Sequence, residues 1–204
     1  MDQQKDERPV QRRARGMQRI ASILDAAETV FAEVGYDEAT TNRIAAQAAI
    51  SPGSLYQFFS NKEEIAQALT TRYAEELESI YSAVFSAESA TLPLFVWLDQ
   101  SFDALIAFHP AHPAFHVLLN APPSLQGAHL AHDPPKVLQD RFERGLQFRA
   151  PHLSPAQRAL SATMCVELFK ASLQLILQAE ETQRKRLVHE LKIMLYRYLE
   201  PILG

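Results

Sequence analysis

Apolar residues recur every three or four positions along most of this chain, and prolines, glycines and small hydroxyl residues cut the runs apart. Ile65, Leu69, Tyr73, Leu77 and Ile80 form one such stripe, the pattern of a helix that buries a single face. Further runs predict helices over residues 94–108, 114–119, 136–149, 155–178 and 182–203, each bounded by a Pro, Ser, Thr or Gly signal. After Asn61 no strand pattern interrupts them, and no internal repeat is present. The expected fold is all-α, with a small three-helix head before a larger helical body.

The head carries the most specific pattern, between residues 39 and 62. Thr40 or Thr41 suits an N-cap, because a hydroxyl accepts from unpaired backbone N–H groups in a first helical turn. Ile44 and Ala48 then lie one turn apart and face inward. At Ser51-Pro52-Gly53 the pattern restarts, with Ser51 as N-cap and Pro52 at the first helical position, where its missing N–H and fixed φ cost nothing. Leu55 and Phe59 bury together from this second helix, leaving Ser54, Tyr56, Gln57 and Phe58 for the remaining surface. A helix this short and this polar on one face has the character of one that enters a DNA groove. A third helix opens at Ser60 with Glu63, or Asn61 with Glu64, in capping-box spacing. Lys62 sits in its first turn, where the helix dipole disfavours a cation unless a phosphate lies beside it, so Lys62 reads as a phosphate contact.

These residues resemble the tetracycline-repressor (TetR) family of bacterial regulators. The resemblance covers roughly residues 17 to 66: Phe31-Ala32-Glu33-Val34-Gly35-Tyr36, then Thr40-Thr41-Asn42-Arg43-Ile44-Ala45, then Ser51 through Glu64. It implies a helix-turn-helix whose second helix, about Pro52 to Phe59, enters the major groove. In similar proteins the positions of Thr41, Ser51, Gly53, Tyr56 and Lys62 hold the DNA backbone, while those of Thr40, Arg43, Ser54 and Gln57 reach bases or phosphates. Phe58 stands where relatives often carry Tyr or His; it has no group to bond a phosphate, so its contact would be apolar, to a sugar or thymine methyl. Gln57 is the best candidate base reader, since its amide pairs in bidentate fashion with adenine N6 and N7.

The resemblance also implies a dimer built from the last two helices of each subunit. Leu160, Val166, Phe169, Leu173 and Leu177 on one, with Leu187, Leu191, Met194, Leu195, Tyr198 and Ile202 on the other, give two apolar faces that exceed the needs of one core, and the nine from Phe169 onward are assigned to the interface. A twofold dimer presents two recognition helices to a palindromic operator. The intervening region holds Phe95, Trp97, Phe102, Phe108, Phe115, Phe142 and Phe148. A pocket lined by Trp97, Phe102, Phe115, Phe142 and Phe169 would suit a small hydrophobic effector. The organisation expected is a basic mobile arm over 1–16, a DNA-binding domain over 17–62 and an effector-binding and dimerisation domain over 63–204.

Composition narrows the alternatives. A chain of 204 residues with 47% apolar content buries a real core. The net charge of −4 gives no global attraction to nucleic acid, but Lys5, Arg8, Arg12, Arg13, Arg15 and Arg19 crowd the start. Arg12, Arg13 and Arg15 suit phosphates or a neighbouring minor groove. No apolar leader follows those arginines and no unbroken apolar run approaches 18 residues, so a cytoplasmic protein with no membrane partner is expected.

Cys165 lies in an apolar stretch as a small buried hydrophobe, with redox sensing as the alternative. His109, His112, His116, His129 and His132 cluster, and His112 with His116 has the i, i+4 spacing that would place two imidazoles on one helix face; a metal-responsive regulator is therefore the second reading. An enzyme is not expected, because there is no Gly-rich phosphate loop, no Gly-x-Ser-x-Gly and no His-Glu-x-x-His, and no cofactor is implied.

Overall fold

The computed structural model describes the backbone of residues 7–121 and 134–203, and the side chains of 14–121 and 135–203. Helix makes up 83% of the described residues and no strand occurs among them, as an all-α fold requires. The helices are α1 (Glu7–Glu38), α2 (Thr41–Gln47), α3 (Pro52–Leu55), α4 (Lys62–Val84), α5 (Leu94–Ala111), α6 (Phe115–Leu119), α7 (Pro134–Arg149), α8 (Pro155–Gln178) and α9 (Glu181–Leu203), with a 3₁₀ turn at Ser89–Thr91 before α5.

Two compact units emerge. One comprises Met1–Tyr73 and His112–Ala131, the other Ala74–Ala111 and His132–Gly204. The expected boundary at residue 62 therefore falls inside the first unit, because the opening turns of α4 and the short α6 pack with the head.

In the first unit α1 packs on α2 and α6, and α2 on α3. Ile23, Ala27, Val30 and Phe31 of α1, Ile44 and Ala45 of α2, Leu55 of α3, and Ile65 and Leu69 of α4 are buried together as its core. The helical run of α1 is interrupted at Gly35, whose φ of 78° and ψ of 171° belong to a region open essentially to glycine alone. The glycine before Tyr36 thus ends the regular helix and turns the chain toward α2. Residues 7–16, expected to be an arm, are instead the first turns of α1. Their Glu, Gln, Arg and Ala content favours helix, and Pro9 sits in the first turn, where its missing N–H is harmless. Lys5, and the side chains of Arg8, Arg12 and Arg13, lie outside the described residues.

Glu28 organises the far end of this unit. Its carboxylate accepts from Arg72 Nη2 at 2.9 Å and from the Tyr73 hydroxyl at 2.7 Å, and lies 3.1 Å from His112 Nδ1. Arg72 also donates to Asp25 at 2.6 Å, so α1 and α4 are clamped by a charge-assisted network.

In the second unit α8 packs on α7 and α9, and α5 on α8 and α9. Ser154 and Gln157 form the reciprocal capping box that starts α8, with Pro155 at its first turn. By length and composition α8 is apolar enough to cross a membrane, which the lack of an unbroken apolar run had not indicated. Core helices meet the same criterion, and α8 buries Ala162, Cys165, Phe169 and Ile176 while carrying a Glu167–Lys170 pair on its surface. Where α7 crosses α5, Gly145 lies so close to Trp97 that a Cβ there would meet its ring at 2.9 Å.

Candidate nucleic-acid interface

The helix-turn-helix is assembled from local hydrogen bonds that the sequence signals foretell. Thr40, rather than Thr41, caps α2: its Oγ1 accepts from the Arg43 N–H at 3.2 Å. The Ser51 Oγ accepts from the Ser54 N–H at 3.2 Å and lies 3.0 Å from the Ser54 hydroxyl. Between these caps the chain turns through Ala49, whose φ of 51° is the one left-handed non-glycine backbone among the described residues.

The second helix is shorter than expected. Regular α-helix spans Pro52–Leu55 rather than reaching Phe59, because Phe58 N and Phe59 N both turn back to the Leu55 carbonyl, at 2.9 and 3.1 Å. The anchoring holds regardless: Leu55 is fully buried and Phe59 nearly so. Tyr56 is 52% exposed, Gln57 and Gly53 are exposed, and Ser54 and Phe58 are half-buried.

Thr41 and Tyr56, expected to contact the backbone of DNA, meet through their hydroxyls at 3.0 Å. This brace ties the start of α2 to the end of α3. One hydroxyl hydrogen is used between them, which leaves the other for a phosphate oxygen. Arg43 lies 3.5 Å from Glu33 in a largely exposed pair, the sort of contact that contributes little and yields readily to a better anion.

Lys62 makes contacts within the chain that sequence reasoning missed. Its ammonium donates to the carbonyls of Tyr36 and Asp37, at 2.7 and 3.0 Å, and sits 4.3 Å from the centre of the Tyr36 ring. It closes the end of α1 with two of its three donors, and one remains for an external oxygen. Tyr36 in turn donates to Glu63 at 3.1 Å, and burial together with that carboxylate raises its phenol well above the ordinary value. The α4 start resolves to Asn61 and Glu64: Asn61 Oδ1 accepts from the Glu64 N–H at 2.8 Å, and Glu64 Oε2 accepts from the Ser60 N–H at 2.7 Å.

The five residues assigned to a ligand pocket are all buried, and four of them, Trp97, Phe102, Phe142 and Phe169, pack ring against ring in the second unit. Trp97 stacks on Phe142 with ring centres 5.4 Å apart, Phe102 lies 6.1 Å from Phe142 and 5.2 Å from Phe169, and Phe85 adds edge contacts to Trp97 and Phe142. Phe115 belongs to the first unit, edge-on to Tyr73. Aromatic rings at helical spacing satisfied one another, as packed interiors require.

The nine residues assigned to the dimer interface divide by burial. Phe169, Leu173, Leu191 and Leu195 are buried inside their own chain, because α8 and α9 close on α5 and α7 with those faces. Leu177, Leu187, Tyr198 and Ile202 are half-buried, and Met194 is exposed. The open apolar stripe on α8 is a different one: Leu160, Met164, Leu168 and Leu175, of which only Leu168 is half-buried.

The metal and redox alternatives gain no support. His112 precedes α6, because Pro113 breaks the helical spacing to His116, and its Nδ1 faces Glu28. Among the described residues no group of three or more His, Cys, Asp or Glu could hold a metal ion, while His129 and His132 lie outside them. Cys165 is fully buried and its thiol is pushed up to about 12 by desolvation. Desolvation thus keeps the thiol protonated at neutral pH, which does not suit a redox sensor. The native protein should therefore leave an aromatic disulfide reagent unreacted at pH 8 and yield one equivalent of thiol on unfolding; rapid reaction of the folded chain would contradict this.

Comparison with known proteins agrees with the helix-turn-helix geometry. Residues 23–69 match the family described as "Bacterial regulatory proteins, tetR family", and residues 93–199 match "Tetracyclin repressor-like, C-terminal domain". The A-factor receptor protein of Streptomyces griseus is 35% identical over 91 residues, covering 45% of this chain and 31% of that protein. The HTH-type transcriptional regulator UidR of Escherichia coli K12 is 36% identical over 75 residues, covering 33% of this chain and 38% of that one. The match thus spans about a third of the length of each relative. A TetR-family transcriptional regulator of Streptomyces coelicolor superposes with a TM-score of 0.60 over 91% of this chain and 99% of its own, at 24% identity, which speaks to the fold alone.

Proposed function

The chain belongs to the TetR family of bacterial DNA-binding transcription regulators, and from that premise we propose that it is a cytoplasmic repressor that holds a palindromic operator as a homodimer and is released by a small, largely hydrophobic effector. The observation that carries the reading is the outer face of α3 and of the turn that follows it: Ser54 half-buried on the helix, Tyr56 and Gln57 exposed on the turn, and both pinned from below by Leu55 and Phe59. A rigid short helix with its polar groups outward is preorganised for a groove, and it loses little freedom on binding.

The contacts divide into two kinds. Thr41, Ser51, Tyr56 and Lys62 fix register on phosphates, with Pro52 and Gly53 allowing close backbone approach, whereas Gln57, helped by Thr40, Arg43 and Ser54, reads base edges. Phe58 adds an apolar contact. Residues 17–62 act as the DNA-binding part and 63–204 as the effector and dimer part. The A-factor relative bears the name of a receptor, which favours a small-molecule signal here. Binding in the body would bias α4, the helix shared along its length by both units, toward a spacing of the two heads that DNA cannot accept. That needs an effector preferring the non-binding state, with a typical coupling of roughly 1–3 kcal/mol.

An operator selected from random duplexes with the full chain supplies the test. Gln57→Ala should relax preference at one position in each half-site, losing about 1–3 kcal/mol of discrimination there. Lys62→Ala should weaken every sequence and lower the salt slope by about 0.9 for each phosphate left without its cation. Because Lys62 also closes α1, its variant should melt earlier, which thermal denaturation separates from the weaker binding. Equal losses on all sequences for both variants would remove Gln57 from base reading.

A further inference from the structure

The second unit contains a cleft of about 240 Å³ between the end of α4 and α7, walled by Tyr81, Phe85 and Phe148 and edged by Ser82, Arg141 and Arg144. None of the five residues assigned to a pocket from sequence lines it, although its Phe85 packs edge-on against Trp97 and Phe142 of that cluster. The geometry points to this cleft as the binding site for a small amphipathic anion, an aryl or alkyl carboxylate whose acid group pairs with Arg144 and whose apolar end lies against the three rings. The inference rests on the reading of this chain as effector-responsive, and it names the chemical class that the effector should have.

Charge is the first argument. No acidic residue lines the cleft, while two guanidinium groups do. Arg141 is already paired with Glu78 at 2.8 Å. Among the described residues Arg144 has no carboxylate partner; its guanidinium lies 5.9 Å from the centre of the Phe148 ring. One cation is therefore neutralised by the protein and one is left for a ligand. A guanidinium presents parallel N–H donors that match a carboxylate, a geometry that an amide or alcohol does not reproduce.

Shape and hydration make the second argument. Tyr81 and Phe85 are buried and stacked with ring centres 6.3 Å apart, so this wall is fixed before any ligand arrives. Phe148 is 43% exposed on the opposite wall, a large apolar ring that an occupant would cover. Burial holds the Tyr81 phenol up at about 12, so it stays protonated and adds no negative charge. Ser82 donates to Glu78 at 3.3 Å, and Ser86, whose oxygen accepts from the Ser89 N–H at 3.0 Å, keeps its own hydrogen as a neutral donor beside the charged Arg144. The volume lies below the roughly 300–1,000 Å³ of drug-sized pockets, so the occupant is small. One wall is the last part of α4, the helix that begins at Lys62, so occupancy acts directly on an element of the proposed switch.

Calorimetric titration of the full chain with phenylacetate, 4-phenylbutyrate and octanoate, each beside its neutral amide, tests this. At least one acid should bind tenfold or more tightly than its amide. Arg144→Gln should abolish that preference while sparing amide binding, and Phe148→Ala should weaken acid and amide together. Should all three acids bind no better than their amides, or should Arg144→Gln leave the preference intact, the assignment is overturned. Operator release, followed by fluorescence anisotropy in the same titration, is a separate readout. Arg144-dependent binding without release would establish the cleft as an anion site and refute the effector mechanism.

Discussion

Leu175→Asp is expected to yield a monomer that still folds and to lower operator affinity a hundredfold or more. Leu175 is 60% exposed in the single chain, so its own core does not depend on it. It ends the open stripe that begins at Leu160 and continues through Met164 and Leu168, residues spaced as neighbours along one side of a helix. Covering such a stripe with the same stripe of a second copy is the self-complementary solution that twofold symmetry imposes. An aspartate there would be buried without a partner, at a cost of several kcal/mol per subunit. Losing the dimer removes one of two recognition helices from the operator, hence the steep loss in affinity. Sedimentation velocity and anisotropy report the two effects, and a dimer that survives Leu175→Asp would eliminate this face as the interface. Leu191→Ala is no substitute, since Leu191 is buried in its own chain and its loss costs about 2–5 kcal/mol of folding stability.

The second large effect lies between α5 and α9. Lys192 is a buried cation, its side chain 7% exposed, and its ammonium donates to Asp99 at 2.7 Å and Asp103 at 2.6 Å. The two aspartates sit one turn apart on α5 and receive it together. Changing both to asparagine leaves the ammonium buried without a counter-charge, a defect worth about 3–5 kcal/mol when burial is complete. The carboxylates are 45% and 57% exposed, so water moderates the loss and the lower end of that range applies. A fall in Tm of roughly 6–12 °C follows for a chain of this size. Adding Lys192→Met should recover most of it, since an apolar side chain of similar length has no charge to leave unpaired. A triple variant no more stable than the double one would show that the loss came from elsewhere.

Local signals were legible in the sequence because they act within one helical turn. Ser154 with Pro155 sets the start of α8 at the residue expected, Ser51 caps α3 as its hydroxyl and the following proline foretell, and Gly35 breaks α1 where the glycine stands before Tyr36. The exposure of the residues proposed to face DNA was legible for the same reason: Leu55 and Phe59 fix which way the turn is anchored, and Tyr56 and Gln57 are left outside. The extent of α3 was less so, since two buried anchors four apart suit a loose turn as well as a continuous helix.

Choices between distant partners were not legible. Along α8 apolar residues occupy more than one face, Val166, Phe169 and Ile176 inward and Leu160, Met164 and Leu175 outward, so periodicity alone cannot say which stripe the chain keeps. The aromatic set of Trp97, Phe102, Phe142 and Phe169 has the composition of a pocket, and only the approach of α7 at Gly145 determines that the rings fill one another. Lys62 likewise gained its bonds to Tyr36 and Asp37, and His112 its place beside Glu28, from segments 25 to 84 residues away. Capping, turn chemistry and helical period are short-range interactions, and the sequence alone determined these. The inward face of each helix depends on summed burial over all its neighbours, which the tertiary structure alone decided.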